Sequence, residues 1–225
     1  WLEEKVDIEN YFLINFLFSL LIEGDKLDAS YTERFDFSDI PNDAVDLFLG
    51  DGKKENNHQN ILRNEVRKEV VDQVTQDKIW EWRRFTLAAP TGIGKTFTAL
   101  DFAIRLRKML PYNAQIITGL PFINIIEQTI SEYEKVLNPH QIKVMGHDQC
   151  ADVMGKKEDK NGNAEKDGEK DYSQKRMEIN TWQGDIVVTS FVQLLQTMIS
   201  NKNKLLLKFN HFAGAIIIMD EVQSL

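Results

Sequence analysis

The sequence predicts a doubly wound α/β fold, and three observations carry that expectation. Between residues 85 and 219, short apolar runs alternate with stretches of helical period, the pattern that builds strands and crossover helices in turn. Two of the runs, 186–189 and 215–219, are almost wholly apolar, as strands covered on both faces of a parallel sheet are. A glycine-rich turn, Gly92-Ile93-Gly94-Lys95-Thr96, stands between an apolar run and a helical one. At 225 residues the chain has room for one large domain or one and a half ordinary ones, at ~100 to 200 residues each.

Taken in order, residues 8–22 are densely apolar and predict a buried helix, with Gly24 as its natural stop. Residues 41–49 read as a short helix. The polar stretch 50–60 holds no large apolar residue and is the best linker candidate. Ile61, Leu62, Val66, Val70, Val71 and Val74 recur near helical spacing, predicting a helix over 61–78 with one apolar face. Then follow an extended run at 85–88, a helix at 95–110, a strand at 114–118, a helix at 122–136 and a short strand at 142–145. The last two strands are expected at 186–189 and 215–219. One interruption lies inside this series: residues 155–176 hold 7 basic and 6 acidic residues and almost nothing to bury, so about 152–176 is expected to be a mobile surface insertion.

Composition narrows the function classes. With 42% hydrophobic and 28% charged residues and 5 prolines, wholesale disorder is excluded. The single cysteine, Cys150, allows no internal disulfide and no multi-thiolate metal site. The most apolar run, 11–22, spans 12 residues, about 18 Å as a helix against a hydrocarbon core of about 30 Å, so it cannot cross a bilayer. Glu3, Glu4, Asp7 and Glu9 ahead of it rule out a basic signal-peptide start. A cytoplasmic protein without a membrane partner is expected. The chain opens on Trp1 rather than methionine, which suggests that both ends are cuts through a longer protein. Net charge is −8, but the first 60 residues hold 14 acidic against 5 basic residues, and the rest 21 against 22. The bulk charge therefore neither supports nor excludes nucleic-acid binding.

The turn at 89–96 carries chemistry. Gly92 and Gly94 let the backbone curl so that successive amides point inward at phosphate oxygens, and a helix starting near Lys95 adds its positive end. Lys95 would reach the β and γ phosphates of ATP, and Thr96 would offer its hydroxyl to Mg2+. Pro90, Thr91 and Ile93 complete the loop. The strict pattern opens on glycine, where this chain has the equally compact Ala89. An apolar strand at 216–219 ends in Asp220-Glu221. Asp220 would bind the magnesium, directly or through water, and Glu221 would polarise the attacking water.

These residues resemble motifs I and II of superfamily-two helicases: Pro90-Thr91-Gly92-Ile93-Gly94-Lys95-Thr96 and Asp220-Glu221-Val222-Gln223. The segment Thr118-Gly119-Leu120-Pro121-Phe122-Ile123-Asn124-Ile125-Ile126-Glu127-Gln128-Thr129 is similar to motif Ia of the type I CRISPR-associated helicase-nuclease family. Residues 185–193, 208–213 and the helix around Asn60-Ile61-Leu62-Arg63 are similar too. The resemblance covers 60–225 in outline, the insertion excepted. It implies a RecA-like first lobe at 61–225 that binds ATP and Mg2+, with Arg63 beside the nucleotide. It also implies single-stranded DNA against Pro121, Phe122, Thr189, Ser190 and Gln193, and an RNA-guided CRISPR surveillance complex as partner.

In that family an HD-type nuclease domain precedes the helicase, and residues 20–30 look like its final helix. By this likeness residues 1–49 end the nuclease domain, 50–60 are the linker, and Asp25 falls where the last ligand of the divalent nuclease metal would be. His147-Asp148 is misplaced for the nuclease signature and reads as a chance dipeptide. A second RecA-like lobe with an arginine finger would follow Leu225. Two other readings stand beside this one: a different superfamily-two RNA helicase or restriction-type translocase, and an inactive nucleotide-binding remnant.

Overall fold

The computed structural model describes residues 7–50, 58–76, 79–146 and 166–224. At its centre lies a four-stranded sheet of β1 (Ile116–Leu120), β2 (Val144–Gly146), β3 (Ile186–Ser190) and β4 (Ile216–Met219), in the order β2-β3-β1-β4. All pairings are parallel, and Ile116 lies level with Ile186 on one side and Ile216 on the other. The strand ends are therefore aligned, and the loops leaving β1, β3 and β4 share one edge. Parallel neighbours need crossover connections. Helices supply them after β1, whereas α1 (Ile8–Ala29), α2 (Ala44–Leu49) and α3 (His58–Asp72) come ahead of the sheet. They are followed by α4 (Lys95–Lys108), α5 (Ile123–Leu137), α6 (Lys166–Asn180), α7 (Phe191–Ile199) and the short α8 (Asn203–Leu206).

Side chains alternate across a strand, and the core divides accordingly. Ile116, Leu120, Ile186 and Val188 face a cluster built by α2, α4 and α5, in which Ala44, Val45, Leu100, Ile104 and Leu137 are buried. Ile117 and Val187 point the other way, to Trp182, Leu194 and Met198. Helical cover on both faces is what the apolar strand runs predicted; β3 has it, but β4 leaves Ile217 and Met219 exposed, and α2 belongs to the same core as the sheet.

Four further expectations need correction. α1 runs through Gly24 to Ala29, because the helix is anchored on both sides of that glycine by Glu23 and Leu27, both buried; glycine in a helix costs only ~1 kcal/mol against alanine. Nor is α1 a buried apolar helix. Its buried residues are Ser19, Glu23 and Leu27, while Leu13, Ile14, Leu17 and Leu21 are exposed. Residues 85–88 are unpaired, and a cleft of about 300 Å³ lined by Phe85, Leu87, Ile217 and Met219 separates them from β4. Finally, 166–176 is helical and makes up the greater part of α6, whose later residues Glu178 and Ile179 are held by Lys143 Nζ at 2.7 Å and by burial. The polar segment 51–57, the first part of the insertion, His147, Asp148 and Cys150 lie outside the described residues.

Candidate nucleotide site

The phosphate loop owes its shape to two residues. Gly92 has φ +80° and Gly94 φ +86°, a region open to glycine and strained for residues with a Cβ. Gly94 caps the 14-residue α4, which begins at Lys95. The first amides of that helix have no partner within it and make its N-terminus suited to an anion. A Cβ on Gly92 would meet nothing within 4 Å, so the loop leaves open space for phosphate to occupy. Thr98 N and Oγ1 both donate to Gly94 O at 3.0 Å, fixing the first turn.

α3 holds the loop from the side. Arg63 Nε donates to Gly92 O at 2.8 Å, and its Nη1 to Asn60 Oδ1 at 3.2 Å. One turn on, Arg67 Nη1 bonds Asp46 Oδ1 of α2 at 2.5 Å and Asp101 Oδ2 of α4 at 2.6 Å. Arg105 closes the square, with Nε on Asp101 at 2.8 Å and Nη2 on Asp46 at 2.6 Å. Burial works against the Arg105 charge, but the two carboxylates more than offset it and hold its pKa above the ordinary value. Two arginines and two aspartates thus pin three helices and set where Arg63 stands.

The carboxylates arrive on β4. Asp220 N continues the ladder to Gly119 O at 3.2 Å, and Asp220 Oδ1 accepts from Glu221 N at 2.9 Å. Glu221 takes φ +57°, an uncommon conformation for a side-chain-bearing residue and one that clusters at functional sites. A hollow of about 580 Å³ brings Arg63, Lys95, Thr96, Asp220 and Glu221 together with the loop. Its oxygen donors, the Thr96 hydroxyl and the Asp220 carboxylate, are the hard ligands magnesium takes. The residues fit a nucleoside triphosphate with its metal.

Among the lining residues not foreseen as part of the site are Gln128 and Glu132 of α5. Their spacing of four places them on one helix face, but an exposed polar pair at that spacing looks like any solvated face until the fold turns it inward.

The expected DNA-contacting residues do not enter this hollow. Phe122 is exposed and Pro121 half-buried at the end of β1. Ser190 caps α7 by accepting from Gln193 N at 3.1 Å, and Gln193 Nε2 bonds Thr197 Oγ1 at 3.2 Å. Thr189 is fully enclosed, so its side chain does not reach the surface that Phe122 shares. Asp25 is exposed on α1 beside Lys26 at 3.4 Å, and no metal-binding cluster occurs among the described residues. None of the described helices is long and apolar enough to cross a membrane.

A phosphate loop opening a helix, with an acidic pair at the end of a parallel strand on the same edge, defines a nucleoside-triphosphate-binding lobe of the RecA-like kind. The chain belongs to the family described as type III restriction enzyme, res subunit, which matches residues 53–223. It is also 30% identical, over 149 residues and 62% of its length, to the CRISPR-associated nuclease/helicase Cas3 of Haloferax volcanii. The chain spans 16% of that relative's length.

Proposed function

We propose that the chain is the motor lobe of an ATP-dependent DNA helicase or translocase acting with an HD-type nuclease in CRISPR interference. One observation carries the motor reading: Lys95 and Thr96 share a single hollow with Asp220 and Glu221 at the carboxyl edge of a parallel sheet, where open α/β sheets bind ligands. The similarity to Cas3 supports the CRISPR setting. The restriction-subunit family name keeps a restriction-type translocase as the second reading.

In this reading the loop amides and Lys95 bind the β and γ phosphates of ATP, and Arg63 keeps the loop in shape. Thr96 and Asp220 would hold Mg2+, which when bound offsets charge on the phosphates. Glu221 accepts a proton from the water that attacks the γ phosphorus. Phe122 ahead of α5, Ser190 at the end of β3 and Gln193 in the first turn of α7 would meet single-stranded DNA. The exposed apolar face of α1 suits a helix that ends an upstream nuclease domain, with Asp25 its metal ligand. A CRISPR RNA-guided surveillance complex would be the partner and the cytoplasm the setting.

Charge developing on the transferred phosphoryl group calls for an arginine from a second lobe, worth ~10³ to 10⁵ in rate. Residues 1–225 alone should therefore release phosphate barely, with or without single-stranded DNA, whereas the complete protein should be strongly DNA-stimulated. Robust DNA-stimulated turnover by residues 1–225 contradicts the two-lobe account. Retained turnover in the complete protein carrying Glu221→Gln contradicts the role given to Glu221.

A further inference from the structure

We propose that Glu132, held by Gln128, is a further carboxylate of the magnesium–nucleotide site, acting on the ion through its water shell; the proposal rests on the nucleotide-binding reading above. Both residues line the hollow that contains Lys95, Thr96, Asp220 and Glu221. Gln128 Nε2 donates to Glu132 Oε1 at 3.0 Å. That bond fixes one carboxylate oxygen and leaves acceptor capacity on the other.

The next residue, Tyr133, lies within the field of both acids. Its hydroxyl is buried, 3.4 Å from Thr118 Oγ1. Burial pushes its ionisation far above the ordinary tyrosine range, the Thr118 hydrogen bond opposes this, and the charges of Asp220 and Glu132 add smaller upward contributions. Asp220 from β4 and Glu132 from α5 therefore bear on the same buried group.

The charge balance points the same way. Lys95, Arg63 and Arg67 line the hollow with Glu132, Asp220 and Glu221, and because Arg67 is already paired with Asp46 and Asp101, a bound polyphosphate beside three carboxylates calls for a cation. Magnesium keeps several of its waters and takes few direct carboxylates. Among the described residues no three acidic or histidine side chains converge closely enough to ligate an ion directly. A carboxylate one water away fits that geometry, and outer-shell acceptors orient and strengthen what the inner shell binds. Glu132 is thus a positioning residue, on a helix that starts next to Phe122.

The test titrates Mg2+ against binding of a fluorescent ATP analogue to residues 1–225, for wild type, Glu132→Gln, Gln128→Ala and Glu127→Gln. Glu127 is exposed on the same helix and serves as the equal-charge control. Glu132→Gln should raise the Mg2+ concentration at half-saturation about tenfold, the low end for losing an outer-shell partner. Gln128→Ala should shift it less in the same direction, and Glu127→Gln not at all. Without Mg2+, Glu132→Gln should bind the analogue as well as wild type or more tightly, because a negative charge beside the triphosphate is gone; a structural defect would weaken binding in both conditions. Should Glu132→Gln melt out in circular dichroism, Gln128→Ala decides. Wild type that never binds the analogue refutes the nucleotide reading itself. Wild type with a Mg2+ dependence that Glu132→Gln and Gln128→Ala leave unchanged overturns this proposal alone.

Discussion

Asp101 has no exposed surface, yet its carboxylate spans Arg67 and Arg105, so a charge that would be prohibitively costly alone is satisfied on both oxygens. Removing one member of such a set strands the others, at ~3–5 kcal/mol. Asp101→Ala should therefore lower unfolding free energy by about that amount in urea denaturation, and a loss under ~1 kcal/mol would mean that the square contributes little. Glu221 presents the opposite case. Its left-handed backbone, at φ +57°, costs of order 1–3 kcal/mol, which glycine would not pay. Glu221→Gly should raise the melting temperature while removing the carboxylate proposed to activate water. An unchanged or lower melting temperature would show that the conformation is not strained.

α1 shows how an element can invert its own pattern. Its polar side chains go inward because partners wait there: Glu23 accepts from Gln183 Nε2 at 2.7 Å and Asn210 Nδ2 at 2.5 Å, and faces His211 Nε2 at 2.8 Å. Gln115 Nε2 donates to Trp182 O and Gly184 O at 2.8 and 2.7 Å, so its Oε1 is the atom beside His211 Nδ1 at 2.9 Å. Both histidine nitrogens thus stand within hydrogen-bond distance of a side-chain oxygen. Glu23→Ala would leave these donors without a partner, and α1 should exchange its amide hydrogens faster while α4 and α5 keep theirs. Equal protection of α1 in the two proteins would show that the network does not hold the helix.

Periodicity could not reveal this, because it reads hydrophobic residues as inside, and that rule runs only one way. α5, β1 and β3 were legible, since each buries what its pattern predicts against a neighbour, whereas β4 forms where its apolar run predicted but leaves Ile217 and Met219 exposed. The run at 85–88 was misread as a strand because apolar sequence cannot say whether a pairing neighbour is present. Lys95, Thr96, Asp220 and Glu221 were legible from motif chemistry; Glu132 was not, and Thr189, read as a surface residue, is enclosed.

The whole molecule has two working edges. The carboxyl edge of the sheet carries the nucleotide hollow, and the amino edge is strapped by the chain between α1 and α2. Ser38 N donates to Asp185 Oδ1 at 2.7 Å, and Arg107 Nη2 to Ser38 O at 2.7 Å. Ile40, Ala44 and Val45 then enter the core shared with α4 and α5. A chain starting at residue 50 should consequently fail to give a cooperative thermal transition, although the family match begins at 53. A sharp transition in that truncation would show that the strap is dispensable.

The central claim is that one magnesium-dependent nucleotide site lies between the phosphate loop and the end of β4. Isothermal titration of residues 1–225 with ATP and Mg2+, for wild type and Lys95→Ala, tests it most directly. Wild type should bind one ATP, and Lys95→Ala should lose at least about tenfold in affinity, since a charge-assisted contact of ~1.5–3 kcal/mol to phosphate is gone. Equal affinity in the two proteins would contradict it.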